Sequence, residues 1–208
     1  MGNLDSVANL YRQKYNSDLS LFRSPGRVNI IGEHTDYNLG SVLPGAINKY
    51  IYLAIGKRDD DNISIDAADY DDHYSVSLLK LEPAWKMWPN YVLGVISEFQ
   101  KAGKNLSGVN IVFGGDIPLS AGMSSSAAIC SATAFALNKT FNTGYSLLEL
   151  AKIALVAEHK YLGVNLFGKE GNVVKFNCKT EEYQFIPFDA PDIKIVLFDT
   201  GVKHNLIT

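Results

Sequence analysis

Cysteine is scarce in this 208-residue chain: Cys130 and Cys178 are the only two, one in a run of small residues and one in a strand-like run. That excludes a disulfide framework and a cysteine-based metal cluster, and a reducing cytoplasm is the expected setting. Basic excess is absent too. Nineteen Lys and Arg against 22 Asp and Glu give a net charge of −3, with the cations scattered, so no nucleic-acid partner is expected. No apolar run approaches the roughly 18 residues of a membrane helix, so a soluble protein with no membrane association is expected. The N-terminus, MGNLDSVANLYRQKY, spaces Leu4, Val7, Leu10 and Tyr11 as one helix face with charges between, unlike the apolar block of a signal peptide. Gly2 with Ser6 matches a myristoylation pattern without the polybasic segment that would support it. His73, His159 and His204 each lack a second ligand at metal spacing. Neither a Walker lysine loop nor a G-x-G-x-x-G dinucleotide turn occurs.

What remains is an ordinary globular composition, 47% hydrophobic and 20% charged, with length for one large domain. After the opening helix, strands are expected at Leu19–Arg23, Ile47–Ile55, Ile63–Ala67 and Tyr74–Leu79. The run Arg58, Asp59, Asp60, Asp61, Asn62 reads as a solvated hairpin turn between two of them. Trp88, Tyr91, Val92, Val95, Ile96 and Phe99 follow helical spacing, ending near Ala102 and Gly103. Val109–Phe113 is a short apolar strand, Ser124–Leu137 and Leu147–Tyr161 are helices, and strands follow at Val173–Cys178, Tyr183–Ile186 and Ile193–Phe198. The expected class is α+β, with helices packed on a mixed or antiparallel sheet.

Two stretches carry chemistry. In GRVNIIGEHTDYN, Val28, Ile30 and Ile31 suit a buried strand and Gly32 permits a turn. Glu33, His34 and Asp36 then converge at a pocket mouth, where carboxylates accept from sugar hydroxyls and His donates or accepts. In PLSAGMSSSAA, Ser124, Ser125 and Ser126 stand at a helix start, where free N–H groups and the helix dipole favour an anion and serine hydroxyls cap or bind metal. Ala121 and Gly122 leave the backbone room to close on phosphate oxygens. Ala127, Ala128, Ala132 and Ala136 let that helix pack closely. Glu158, near the end of the next helix, is an acid that could reach a cation at this helix start were it to point there.

Together the two stretches resemble the GHMP small-molecule kinases, and the first is similar to the galactokinase signature. VLPGAINKYIYLAIG, WPNYVLGVI, AEHKYLG and DTGVKH extend the resemblance along nearly the whole chain. It implies a GHMP kinase N-terminal domain, of the ribosomal protein S5 domain 2-like fold, over residues 1–208, with the galactose signature at 25–38 and the ATP phosphate loop at 118–128. It further implies that Glu33, His34, Thr35 and Asp36 bind galactose and that Arg27 stabilises the transferring phosphate. Ser120, Ala121, Gly122, Met123, Ser124, Ser125 and Ser126 would wrap the ATP phosphates, and Ser126 or its neighbour Ser125, with Glu158, would hold Mg2+. The implied reaction is ATP-dependent phosphorylation of galactose at the anomeric hydroxyl, by a monomer.

One departure stands against these matches. In galactokinases AEHKYLG is followed by a segment of the type CGIMDQFAS, whose aspartate is the catalytic base. Here the chain runs from Asn165 directly into Leu166, and neither Lys169 nor Glu170 inherits that role. The family also continues beyond DTGVKH, so the chain corresponds to an N-terminal portion without the C-terminal domain. The 208-residue chain is therefore expected to be inactive by itself. N-acetylgalactosamine kinase and a non-catalytic galactose- or ATP-binding sensor remain alternative readings.

Overall fold

The computed structural model describes residues 3–31, 41–117, 124–158, 172–177, 180 and 183–187. At the N-terminus a reciprocal cap fixes the first helix: Ser6 N–H donates to the Asn3 side chain at 2.8 Å and Asn3 N–H donates to Ser6 Oγ at 2.9 Å. Helix α1 (Leu4–Lys14) follows, with Val7 and Tyr11 fully buried. Its stripe begins one turn later than its spacing suggests, because Leu4 is exposed.

Strands β1 (Ser20–Ile31) and β2 (Ser41–Lys57) form the long pair at the centre of the architecture. They are followed by β3 (Asn62–Ala67), β4 (Asp72–Ser77) and a 3-10 turn at Leu78–Lys80. Helix α2 (Pro89–Lys101), β5 (Val109–Gly115), α3 (Ser125–Phe141) and α4 (Leu147–Glu158) come next, then β6 (Asn172–Asn177) and β7 (Tyr183–Pro187). The strands make one seven-stranded sheet ordered β4-β3-β5-β2-β6-β7, with β1 on the other edge of β2. Only β3 and β5 run parallel, so the expected α+β class with a mixed sheet is what forms. Among the described residues no helix is long and apolar enough to cross a membrane.

Alternation along β2 divides the interior. Ile51, Leu53 and Ile55 face a core built with α2, α3 and α4, whereas Ala54 faces α1 with Val7, Tyr11 and Val112. The α1 contact is close because position 56 is glycine: a Cβ there would stand 2.1 Å from Tyr11 Oη and 2.3 Å from the Asp18 carbonyl oxygen.

Several expectations are corrected. Residues 58–61 do not close a hairpin: β2 and β3 are not partners, and β5 lies between them. The turn arches over the entry to β5, with Arg58 N–H donating to the Gly108 carbonyl at 2.9 Å and Gly108 N–H to the Asp60 carbonyl at 2.8 Å. Asp60 accepts from Arg58 Nε at 2.7 Å, and Arg58 also reaches Asn110 Oδ1 at 2.7 Å. A pinned salt bridge, rather than a purely solvated acidic run, shapes the corner. The first strand does not stop at Arg23 but continues to Ile31, with register shifts between Pro25 and Arg27 and between Asn29 and Ile31. Among the described residues β1 pairs with β2 alone, and those shifts with that edge position tolerate Pro25, which has no N–H to give. The same edge position leaves Ile30, expected in the core, 37% exposed. The strand expected through Leu79 ends at Ser77, whose hydroxyl accepts from Leu79 N–H at 3.3 Å and starts the 3-10 turn. The expected strand at Ile193–Phe198 and the last three residues of the helix ending at Tyr161 lie outside the described residues.

Asp66 anchors α1 to the sheet. Its carboxylate is 2% exposed and accepts from Lys14 Nζ at 2.5 Å and from the Tyr15 hydroxyl, with His73 Nδ1 3.1 Å away. Burial raises its pKa, but bonds from Lys14, Tyr15 and His73 outweigh burial and hold it below the usual carboxylate range. A group depressed in the folded state contributes stability above its unfolded pKa and loses it as pH falls through the folded one. Asp66→Ala is expected to reduce the unfolding free energy in urea by about 2 to 3 kcal/mol at pH 7. The difference from wild type should shrink below about pH 4; a pH-independent difference would exclude the ionised carboxylate as its source.

Candidate active site

Strand β5 is buried along its whole length, and the chain leaves it under tight control. Asp116 N–H donates to the Tyr50 carbonyl at 3.1 Å, while Tyr50 N–H donates to Asp116 Oδ1 at 2.6 Å. A Cβ at Gly115 would approach the Tyr50 carbonyl oxygen to 2.2 Å, so only glycine lets the strand end so close to β2. Residues 118–123, which include Ser120, Ala121, Gly122 and Met123, lie outside the described residues, as do Glu33, His34, Thr35 and Asp36.

The chain is described again at Ser124, the N-cap of α3. Ser124 sits in the left-handed region, φ 53° and ψ 50°, and its side chain makes no capping bond. For an L-residue this conformation costs about 1 to 2 kcal/mol. No side-chain cap offsets the cost, and among the first-turn donors of α3 the Ala127 N–H bonds Glu158. Helix α3 then runs through the core on small residues: Ala127, Ala128, Ala132, Ala134 and Ala136 are all buried, as the alanine spacing predicts.

Three elements meet at this helix start. Ser126 Oγ, in the first turn of α3, donates to Glu158 Oε1 at the end of α4. Arg27, half-buried on β1, is near enough for its charge to act on Glu158. Glu158 is only 8% exposed, and burial pushes its carboxyl up to about 7 against the lowering effects of the Ser126 bond, the Arg27 charge and the Ala127 N–H. Two expected residues, Ser126 and Glu158, are thus brought into contact. Ser126, rather than Ser125, makes that contact. The approach of Arg27 to Glu158 and the bond from Ala127 N–H were not legible in the sequence, since no spacing rule links β1 to the end of α4. Cys130, one turn into α3, has its thiol pushed well up, first by burial and then by the Glu158 charge. His73 belongs to the Asp66 cluster, away from this constellation.

The donor set suits a hard cation. A hydroxyl and one buried carboxylate at a helix start match a Mg2+ that keeps waters and completes its shell with phosphate oxygens. Among the described residues no group of three His, Cys, Asp or Glu gathers, so an all-protein cage is not what this arrangement offers.

The family model of the galactokinase galactose-binding signature matches residues 9–57 and that of the GHMP kinase N-terminal domain matches residues 90–174. The chain belongs to the GHMP kinase family. The galactokinase of Thermotoga petrophila is 39% identical over 193 residues, covering 88% of this chain and 54% of that protein. The crystal structure of Lactococcus lactis galactokinase complexed with galactose superposes with a TM-score of 0.81 at 28% identity, covering 88% of this chain and 51% of that one. Methanococcus jannaschii mevalonate kinase, at 19% identity and TM-score 0.69, shares the fold. The chain therefore spans about half the length of the relatives it matches. The signature match covers β1 and β2 with Arg27, and the GHMP match covers the α3 start and Glu158, so the constellation draws on both.

Removing the strain at Ser124 tests whether that backbone is under load. Ser124→Gly is expected to raise stability by about 0.5 to 1 kcal/mol in urea melts, the relief being partly offset by glycine's greater unfolded-state freedom. Ser124→Ala should give no gain. Equal melts for the two variants would show that the left-handed backbone carries no penalty.

Proposed function

We propose that the protein to which this chain belongs transfers the γ-phosphoryl group of ATP to the anomeric hydroxyl of galactose. The observation that carries this reading is the meeting of β1, a strand of the galactose signature, with the Ser126–Glu158 pair at the start of α3. In the reaction the sugar oxygen attacks the γ-phosphorus, the bond to the ADP oxygen breaks, and the sugar proton passes to a general base. Positioning and charge neutralisation are the main needs of such a transfer.

On this reading Glu33, His34, Thr35 and Asp36 bind and orient the sugar. Ser120, Ala121, Gly122, Met123, Ser124, Ser125 and Ser126 hold the ATP phosphates at the α3 start, where backbone N–H groups and the helix dipole favour an anion. Arg27 supplies positive charge to the transferring phosphate. Ser126 and Glu158 hold Mg2+, which would neutralise phosphate charge when bound. Glu158 is well suited to that task because its buried carboxylate has too little positive charge around it until a cation arrives. No residue between Asn165 and Leu166 supplies the aspartate that serves galactokinases as base, so the 208-residue chain is expected to bind ligands without turning them over. Cys130, free and buried, fits a reducing cytoplasm, and we take the working unit to be a monomer.

The decisive assay offers MgATP and a panel of acceptors to the protein encoded by the intact gene. Galactose should give the highest turnover. Equal or better use of N-acetylgalactosamine, mevalonate or homoserine would reject the galactose assignment, and ligand binding without any turnover would favour a sensor. Asp36→Asn in the same protein should lower kcat/KM for galactose roughly ten- to a hundredfold while nucleotide affinity holds. Unchanged galactose kinetics with collapsed folding would make Asp36 structural. Glu158→Gln should lower turnover at least about a hundredfold at fixed Mg2+. The substitution should leave the metal-free chain at least as stable at pH 8, since it removes an underpaired buried charge.

A further inference from the structure

Among the described residues four buried side-chain oxygens find no hydrogen-bond partner: Ser24 Oγ, Asn29 Oδ1, Ser131 Oγ and Thr140 Oγ1. Three are hydroxyls, which donate as well as accept. Within a helix, as at Ser131 and Thr140, a rotation of χ1 offers them a backbone carbonyl, and Thr133 already does this, bonding the Ile129 carbonyl at 2.8 Å. Asn29 Oδ1 has no such escape, because a carbonyl oxygen only accepts and needs a donor brought to it.

Its place in the fold is informative. Asn29 pairs with Pro44 and Arg27 with Ala46, in a stretch of β1 free of register shifts. Two residues apart on one strand, their side chains leave the same face of the sheet. That is the strand whose Arg27 charge acts on Glu158. An orphaned acceptor buried beside a catalytic arginine costs the folded protein stability, and such a cost is tolerated where a ligand later repays it. The phosphates of MgATP, essentially fully ionised, offer acceptors alone, whereas a sugar hydroxyl is a donor.

We propose that Asn29 is a further substrate-contacting residue, its side-chain oxygen accepting a hydrogen bond from a hydroxyl of the bound sugar. This rests on the galactose reading above. The test compares wild type, Asn29→Leu and Asn29→Asp in the full-length protein, by thermal melts with and without galactose and by calorimetric titration of galactose and of a non-hydrolysable ATP analogue. Asn29→Leu replaces an unsatisfied acceptor with a side chain of similar size, so the ligand-free Tm should stay equal or rise. Galactose affinity should fall about five- to tenfold, as for loss of one neutral hydrogen bond, with the ATP analogue binding as before. Asn29→Asp, which keeps an acceptor at the same point, should retain more galactose affinity than the leucine variant.

A fall in the ligand-free Tm of Asn29→Leu would overturn the proposal and make Asn29 structural. So would galactose affinity unchanged by leucine, aspartate binding as weakly as leucine, or loss of the nucleotide analogue instead of the sugar. A wild type that shows no galactose-induced shift overturns the galactose reading itself, and the sugar contact with it. A wild type that responds, alongside an Asn29→Leu variant that responds identically, overturns the role of Asn29 alone.

Discussion

The close packing of α3 is the constraint on which the rest of the site depends. A helix walled by Ala127, Ala128, Ala132, Ala134 and Ala136 presents little side-chain bulk, so strands and helices approach its axis closely. Phe135 meets Phe22 of β1 edge-on, with ring centres 5.9 Å apart. Gly94 of α2 leaves room for Ala157 of α4, whose Cβ would lie 3.4 Å from an added Cβ. Held by neighbours on several sides, α3 has its first turn fixed relative to the end of α4 and to β1. The contact between Ser126 and Glu158 is a consequence of that packing. Larger residues along α3 would push α4 outward and separate the pair without touching either member.

Two buried acids show how this protein handles charge in opposite ways. Asp66 has an ammonium, a phenol and an imidazole around it, and these overcome burial so that it stays ionised more readily than an exposed carboxyl. Glu158 has one hydroxyl, one N–H and an arginine acting through space, and burial prevails. The first arrangement is complete and does structural work, tying α1 to β3 and β4. The second lacks positive charge, which is the condition in which a carboxylate gains most from a bound cation. The contrast favours a ligand-binding role for Glu158, which has fewer donors around it than Asp66.

Sequence patterns exposed the elements better than their connections. The α2 periodicity, from Trp88 to Phe99, marks a helix because one face must be apolar, and the alanine run marks α3 because nothing else packs a central helix so closely. The insertion of β5 between β2 and β3 was not legible, since two strands joined by a short Asp-rich turn look like a hairpin. What decides otherwise is the fit of Gly108 beneath that turn: a Cβ would come within 2.4 Å of the Asp60 and Asn62 carbonyl oxygens. Exposure of Ile30 was likewise hidden, because hydrophobicity reports what a residue prefers and not whether its strand lies at an edge. At the site, chemistry was legible where residue type alone implies it, as for the serine-rich helix start. The approach of Arg27 to Glu158 depends on tertiary placement and left no local mark.

Departures from local ideality gather where those three elements meet. Ser124 holds a left-handed backbone without a cap, Glu158 is a buried acid short of compensation, and Asn29 carries an unsatisfied acceptor. Two departures elsewhere have partners close by. Asn142, also left-handed, ends α3, with the N–H of Thr143 returning to the Asn138 carbonyl at 3.2 Å. Asp72, half-buried at a corner that includes left-handed Asp71, is held by Lys86 and by Trp88 Nε1 at 2.9 Å. A sequence selected for stability alone would relieve the three unanswered cases with a glycine, an amide and an aliphatic side chain. Each persists on an element that borders the α3 start, and on the proposed function a ligand carrying a divalent cation and hydroxyl groups would answer the acid and the acceptor, while the turn at Ser124 sets the direction in which α3 begins.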